Sequence, residues 1–130
     1  MFLDTFGLLC ILHRREPHHI QARSLLNSAA VRLTHSYVLA EFVALAETRG
    51  VPRNENLLFV HDMILNPDIE TIWVDEPTYE EALQLLLARL DKTYSLCDAV
   101  SFVLMRRRGI VAALTNDHHF EQEGFLRLLK

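Results

Sequence analysis

The sequence predicts an α/β fold in which a parallel sheet is covered by helices on both faces. Three observations predict it. Short apolar, strand-like runs alternate with amphipathic helical stretches along the whole chain. The 130 residues suit one ordinary domain, with no linker and no internal repeat. Half of the residues are hydrophobic and 23% are charged, which is apolar enough for a real core and excludes disorder.

Phe2, Leu3 and Asp4 open as a short strand. Residues 5–13 then read as a helix, broken by Arg14, Arg15, Glu16 and Pro17. Residues 18–30 carry Ile20, Ala22, Leu25, Leu26 and Ala29 at helical spacing, and residues 31–34 form the next strand. Ser36 caps a helix to Thr48, ended by Gly50 and Pro52. Residues 54–65 are amphipathic, with Leu57, Leu58, Val60, Ile64 and Leu65 expected inward and Pro67 as the stop. A strand over 69–74, with Trp73 packed on it, leads to a helix that begins at Glu76-Pro77 and runs through Leu83, Leu86, Leu87 and Leu90. Ser95 caps a helix to Arg108, closed by Gly109. Residues 110–115 read as a central strand, 116–122 as a turn or short helix, and 125–129 as an edge strand.

Composition excludes several classes. No apolar run reaches the ~18 residues needed to span a bilayer. The apolar start precedes Arg14 and Arg15, which reverses the polarity of a secretory signal. Cys10 and Cys97 make no disulfide framework, so a reducing cytoplasm is expected. The net charge of −4 argues against a simple basic nucleic-acid binder.

Parallel sheets bind ligands beyond the carboxyl ends of their strands, where the strand order reverses. Helix N-termini face the same rim. Asp4 ends the first strand, Asp117 follows the 110–115 strand, Asp98 lies in the first turn of the helix after Ser95, and Glu41 lies in the second turn of the helix after Ser36. All four reach one rim with apolar neighbours. Each also has a structural reading. Asp4 and Asp117 can cap the helices that follow them, Asp98 completes a capping box with Ser95, and Glu41 can be an ordinary solvated residue. Taken together they change the balance. Two carboxylates about 5 Å apart repel by about 3 kcal/mol at an effective dielectric near 20. A hard divalent cation such as Mg²⁺ or Mn²⁺ relieves that repulsion, clamps phosphate oxygens and activates water.

Four motifs carry a resemblance: Phe2-Leu3-Asp4-Thr5; Val38-Leu39-Ala40-Glu41-Phe42; Tyr94 to Phe102 continuing through Met105 to Ile110; and Leu114-Thr115-Asn116-Asp117-His118-His119-Phe120 with Gly124-Phe125. In these the sequence resembles the PIN domain family of ribonucleases, in particular the VapC-type toxins of prokaryotic toxin–antitoxin pairs. The resemblance implies a single PIN-like domain over residues 1–130. It also implies a three-layer α/β/α fold with a parallel sheet of about five strands in the order 3-2-1-4-5. The family acids fall on Asp4, Glu41, Asp98 and Asp117, as catalytic residues and ligands of Mg²⁺ or Mn²⁺. Cys97 stands where family members often carry Thr, and Phe6-Gly7 where a small polar residue is common. The implied activity is endonucleolytic hydrolysis of RNA to 5′-phosphate ends. The implied partners are RNA, a second copy of the chain and a cognate antitoxin, with no membrane.

Thr115, and secondarily Thr5, are expected to position water or phosphate. Arg14, Arg15 and Arg106 to Arg108 are candidates for backbone contacts to RNA. The pairs His18-His19 and His118-His119 lack the helical i,i+4 spacing of ligand pairs and read as solvated or packed, although His118 can touch substrate. Rival functions are a phosphoacceptor receiver domain, a metal-independent ribonuclease, and an inactive PIN-like module that binds RNA or protein. The receiver needs paired acids and a lysine after the last strand; Asp4 is alone, and the only lysines are Lys92 and Lys130.

Overall fold

The computed structural model describes all 130 residues. In chain order the elements are β1 (Phe2–Leu3), α1 (Thr5–Leu12), α2 (His19–Ser28), β2 (Leu33–His35), α3 (Ser36–Thr48) and α4 (Arg53–Leu65). They continue with β3 (Glu70–Ile72), α5 (Glu76–Leu87), α6 (Leu96–Arg108), β4 (Ala112–Leu114), α7 (His119–Gln122) and β5 (Leu126–Arg127). The five strands form one sheet in the order β3-β2-β1-β4-β5, and every pairing is parallel. Phe2 pairs with both Leu33 and Ala113, so β1 is central and the order reverses beside it.

Helices α5 and α6 pack on each other, while α1 to α4 form a connected group around α1 and α3. With the sheet between them this is the three-layer arrangement expected from the alternating pattern. The strand residues Phe2, Leu3, Leu33, Ala113 and Leu114 are buried because both faces are covered. Gly7 explains how closely the layers approach: a Cβ there would lie 2.1 Å from the Leu114 carbonyl oxygen. The glycine that departs from the family pattern is therefore what lets α1 lie against the backbone of β4.

Several local expectations are corrected. The second strand begins at Leu33 and extends to His35, and it is His35 that caps α3: its Nδ1 accepts the Val38 amide at 3.3 Å. The Ser36 hydroxyl accepts the Val74 amide at 3.0 Å and ties α3 to the chain after β3. On α4 the buried residues are Asn56 and Met63, while Leu57, Leu58, Ile64 and Leu65 face outward. The inward stripe is Asn56, Phe59, Val60 and Met63: Phe59 packs on Phe42 of α3, Val60 packs against the core as expected, and Asn56 Nδ2 donates to the Val43 carbonyl at 2.9 Å. Trp73 is exposed rather than packed.

Helix α6 follows its sequence signals. The Ser95 hydroxyl and the Asp98 carboxylate form a reciprocal capping box, and Gly109 ends the helix at φ +66°. Its terminal arginines are engaged by acids, Arg106 with Glu123, Arg107 with Glu81 and Arg108 with Glu70. They tie α6 to its surroundings, and each remains partly exposed beside its acid partner. Arg14 and Arg15 are exposed.

Candidate active site

Asp4 follows β1 directly, with extended backbone at the start of α1. Its side chain makes no cap bond. Instead Oδ2 accepts a hydrogen bond from the Thr115 hydroxyl at 2.8 Å. Thr115 follows β4, the neighbour of β1 across the reversal in strand order, and its own oxygen accepts the Asp117 amide at 3.0 Å. One buried hydroxyl thus links two acids. It is engaged on both sides, so it serves as a connector and not as a free hydroxyl.

Asp98 lies in the first turn of α6. Its Oδ2 accepts from the Ser95 amide at 3.1 Å and faces His119 Nδ1 at 3.2 Å. The Asp117 Oδ1 accepts the His119 amide at 2.9 Å and faces the same Nδ1 at 3.3 Å. Glu41, on the second turn of α3, is exposed and close enough to the Cys97 thiol to help hold it neutral. The structural readings of Asp98 and Asp117 therefore hold, but each uses one oxygen. Asp98 Oδ1 and Asp117 Oδ2 have no protein donor.

The electrostatics bind the four acids into one neighbourhood. Burial first, and then the carboxylates of Asp98 and Glu41, push the Asp4 pKa up from 3.8 to about 7, against the hydrogen bond from the Thr115 hydroxyl. Asp98 is raised by burial and by Asp117. The Cys97 thiol is held neutral by burial and by Glu41, Asp4 and Asp98. Asp98 and Asp117 pair only with histidines, and no arginine or lysine pairs with any of the four.

The tightest grouping of donor atoms is Asp117, His118 and His119, all within 4.8 Å of one another. No three of the four carboxylates are gathered that closely, as mutual repulsion dictates. The Thr5 hydroxyl, next to Asp4, is buried with no partner. Anionic oxygens, free lone pairs and no protein cation make a donor set that fits a hard divalent cation. The largest hollow, about 650 Å³, lies at the opposite rim among Met1, Val31, Ile110 and Val111 and holds none of these groups.

His119 is the residue that sequence reasoning missed. A search for i,i+4 helical pairs overlooks it, because its partners are Asp117 two residues back in a turn and Asp98 on another helix. The signal available in the sequence was the Asp117-His118-His119 turn itself.

A five-stranded parallel sheet in this order, with acids at the reversal point, is the architecture of PIN domains. The PIN domain model matches residues 1–126, and the chain belongs to that family. Among solved structures it is similar to Mycobacterium tuberculosis VapC20, a toxin that cleaves the sarcin–ricin loop. The identity is 26% and the TM-score 0.87, over 96% of this chain and 95% of that one. No curated protein matches the sequence.

Proposed function

We propose that this protein is a divalent-metal-dependent endoribonuclease of the VapC type, the toxin of a toxin–antitoxin pair. One observation carries the reading. Carboxylates from four separate elements line the carboxyl rim beside β1 with no arginine or lysine to balance them. The similarity to a PIN toxin that cleaves RNA supports the same substrate class.

In this reading Asp4, Asp98 and Asp117 hold Mg²⁺ or Mn²⁺, with Glu41 completing the set directly or through water. The cation, when bound, neutralises the acids, draws phosphate oxygens and makes water more acidic. The chain's own groups do the rest. Thr115 holds Asp4 and the backbone of Asp117 in register. A carboxylate that the cation leaves unused receives the proton of the attacking water. The water oxygen bonds to phosphorus in line, the bond from phosphorus to the 3′ oxygen breaks, that oxygen takes a proton from solvent water, and the products carry 5′-phosphate and 3′-hydroxyl ends.

We place pairing with an antitoxin protein and with a second copy on the outward leucines of α4, and the site of action in the cytoplasm. No helix is long and apolar enough to cross a membrane.

The function is tested by incubating the protein with total RNA in Mg²⁺, Mn²⁺ or EDTA and mapping the cut ends. Cuts with 5′-phosphate ends are expected in either metal, with loss in EDTA and at least a hundredfold loss in Asp98→Asn. Cutting that survives EDTA and leaves cyclic phosphates, or Asp98→Asn activity within a few-fold of the parent, contradicts the reading.

A further inference from the structure

We infer that His119 is a positioning residue: its imidazole is a strut that sets the spacing of the Asp98 and Asp117 carboxylates for cation uptake. The inference rests on the reading of the acids as a metal site and names a part that this reading does not supply.

The geometry is specific. His119 Nδ1 lies 3.2 Å from Asp98 Oδ2 and 3.3 Å from Asp117 Oδ1, oxygens carried by two different elements. Both are acceptors, so Nδ1 carries the hydrogen and donates to the pair. The other nitrogen, Nε2, faces the Thr93 hydroxyl at 3.1 Å and accepts from it. A neutral ring satisfies every contact, and no charge is required. The edge of the Tyr94 ring packs on the imidazole at 5.1 Å between centroids. Thr93 and Tyr94 belong to the loop that enters α6, so the ring is held from the frame that also positions Asp98.

The strut takes the two oxygens that the protein already holds. Asp98 Oδ2 is also bound by the Ser95 amide, and Asp117 Oδ1 by the His119 amide. The remaining oxygen of each acid is left without a donor. Without the strut each partly buried carboxylate keeps one backbone hydrogen bond but loses the donor the two share, so their mutual repulsion widens the spacing that cation binding must close. Groups that orient metal ligands in this way typically contribute 10- to 100-fold in affinity.

The test is Mn²⁺ binding, followed by the electron paramagnetic resonance of the free ion, in the full chain. His119→Phe keeps a packed ring and removes both nitrogens. His119→Asn places an amide N–H close to where Nδ1 donates. The Phe variant should weaken Mn²⁺ binding about 10- to 100-fold with a metal-free melting temperature within a few degrees of the parent, and the Asn variant should recover to within about threefold. Thr93→Val, which frees Nε2 and leaves the fold untouched, should weaken binding about three- to fivefold. Parent-like binding by both the Phe and Val variants overturns the strut. An Asn variant as weak as Phe also overturns it, because His119 is then itself a ligand. A parent that binds no Mn²⁺ removes the metal reading, and the strut with it.

Discussion

Asp4 and His35 are both buried, and burial moves their pKa values in opposite directions. Asp4 sits at about 7 in the fold against 3.8 in the unfolded chain, so its ionisation costs metal-free stability as pH rises through that window, in full above 7. His35 sits at about 3 against 6.5, so its neutral form contributes stability that is complete above 6.5 and is lost as pH falls toward 3. Between about pH 4 and 6.5 each acts with a slope of up to about 1.4 kcal/mol per pH unit, with opposite signs. By urea denaturation in EDTA these two contributions should largely cancel in the metal-free parent. Asp4→Asn should be the more stable protein at pH 8 and should lose stability steeply below pH 6.5. A variant with no steeper acid arm than the parent contradicts this. Asp4, Glu41, Asp98 and Asp117 were legible as a group because chain position alone puts strand ends and helix starts on one rim. Thr115 and His119 were not read in their roles, because each acts through a partner remote in sequence, Asp4 and Asp98; His35 was passed over as a cap because histidine is not among the usual capping residues.

At the scale of elements, helices and strands were legible where caps and breakers are explicit. Ser95 with Asp98 and Gly109 bound α6 at both ends. Strand limits drifted by about two residues, because three-residue strands carry little periodicity of their own. Helix α4 was found but, Val60 apart, with the wrong apolar residues inward. Its composition supports two apolar stripes, and the one that turns inward carries Phe59, Val60 and Met63, with Phe59 on Phe42 and Asn56 bonded to the Val43 carbonyl. Leu57→Ser and Leu58→Ser should accordingly change stability by less than about 0.5 kcal/mol, whereas Met63→Ala should cost about 2–4 kcal/mol. The same serine variants should abolish co-purification with an antitoxin expressed from a neighbouring reading frame. Retained co-purification removes α4 from the partner surface.

Over the whole molecule, charge is segregated. Arginines meet Glu16, Glu47, Glu70, Glu81, Glu121 and Glu123, away from the sheet's switch point. Asp4, Glu41, Asp98 and Asp117, none paired with an arginine or lysine, lie at that point. A bound cation offsets part of their charge, so the modest negative balance is no argument against an RNA substrate. The parallel order, the reversal beside β1 and the buried Asp4 together make a site that is costly when empty. Calorimetric titration of Mn²⁺ at pH 7, in two buffers of different ionisation enthalpy, tests that claim most directly. Uptake should release protons, chiefly from Asp4, so the measured heat should depend on the buffer, and Asp4→Asn should bind weakly with no buffer dependence. Absence of binding, or the same buffer-independent heat in parent and variant, would contradict the account.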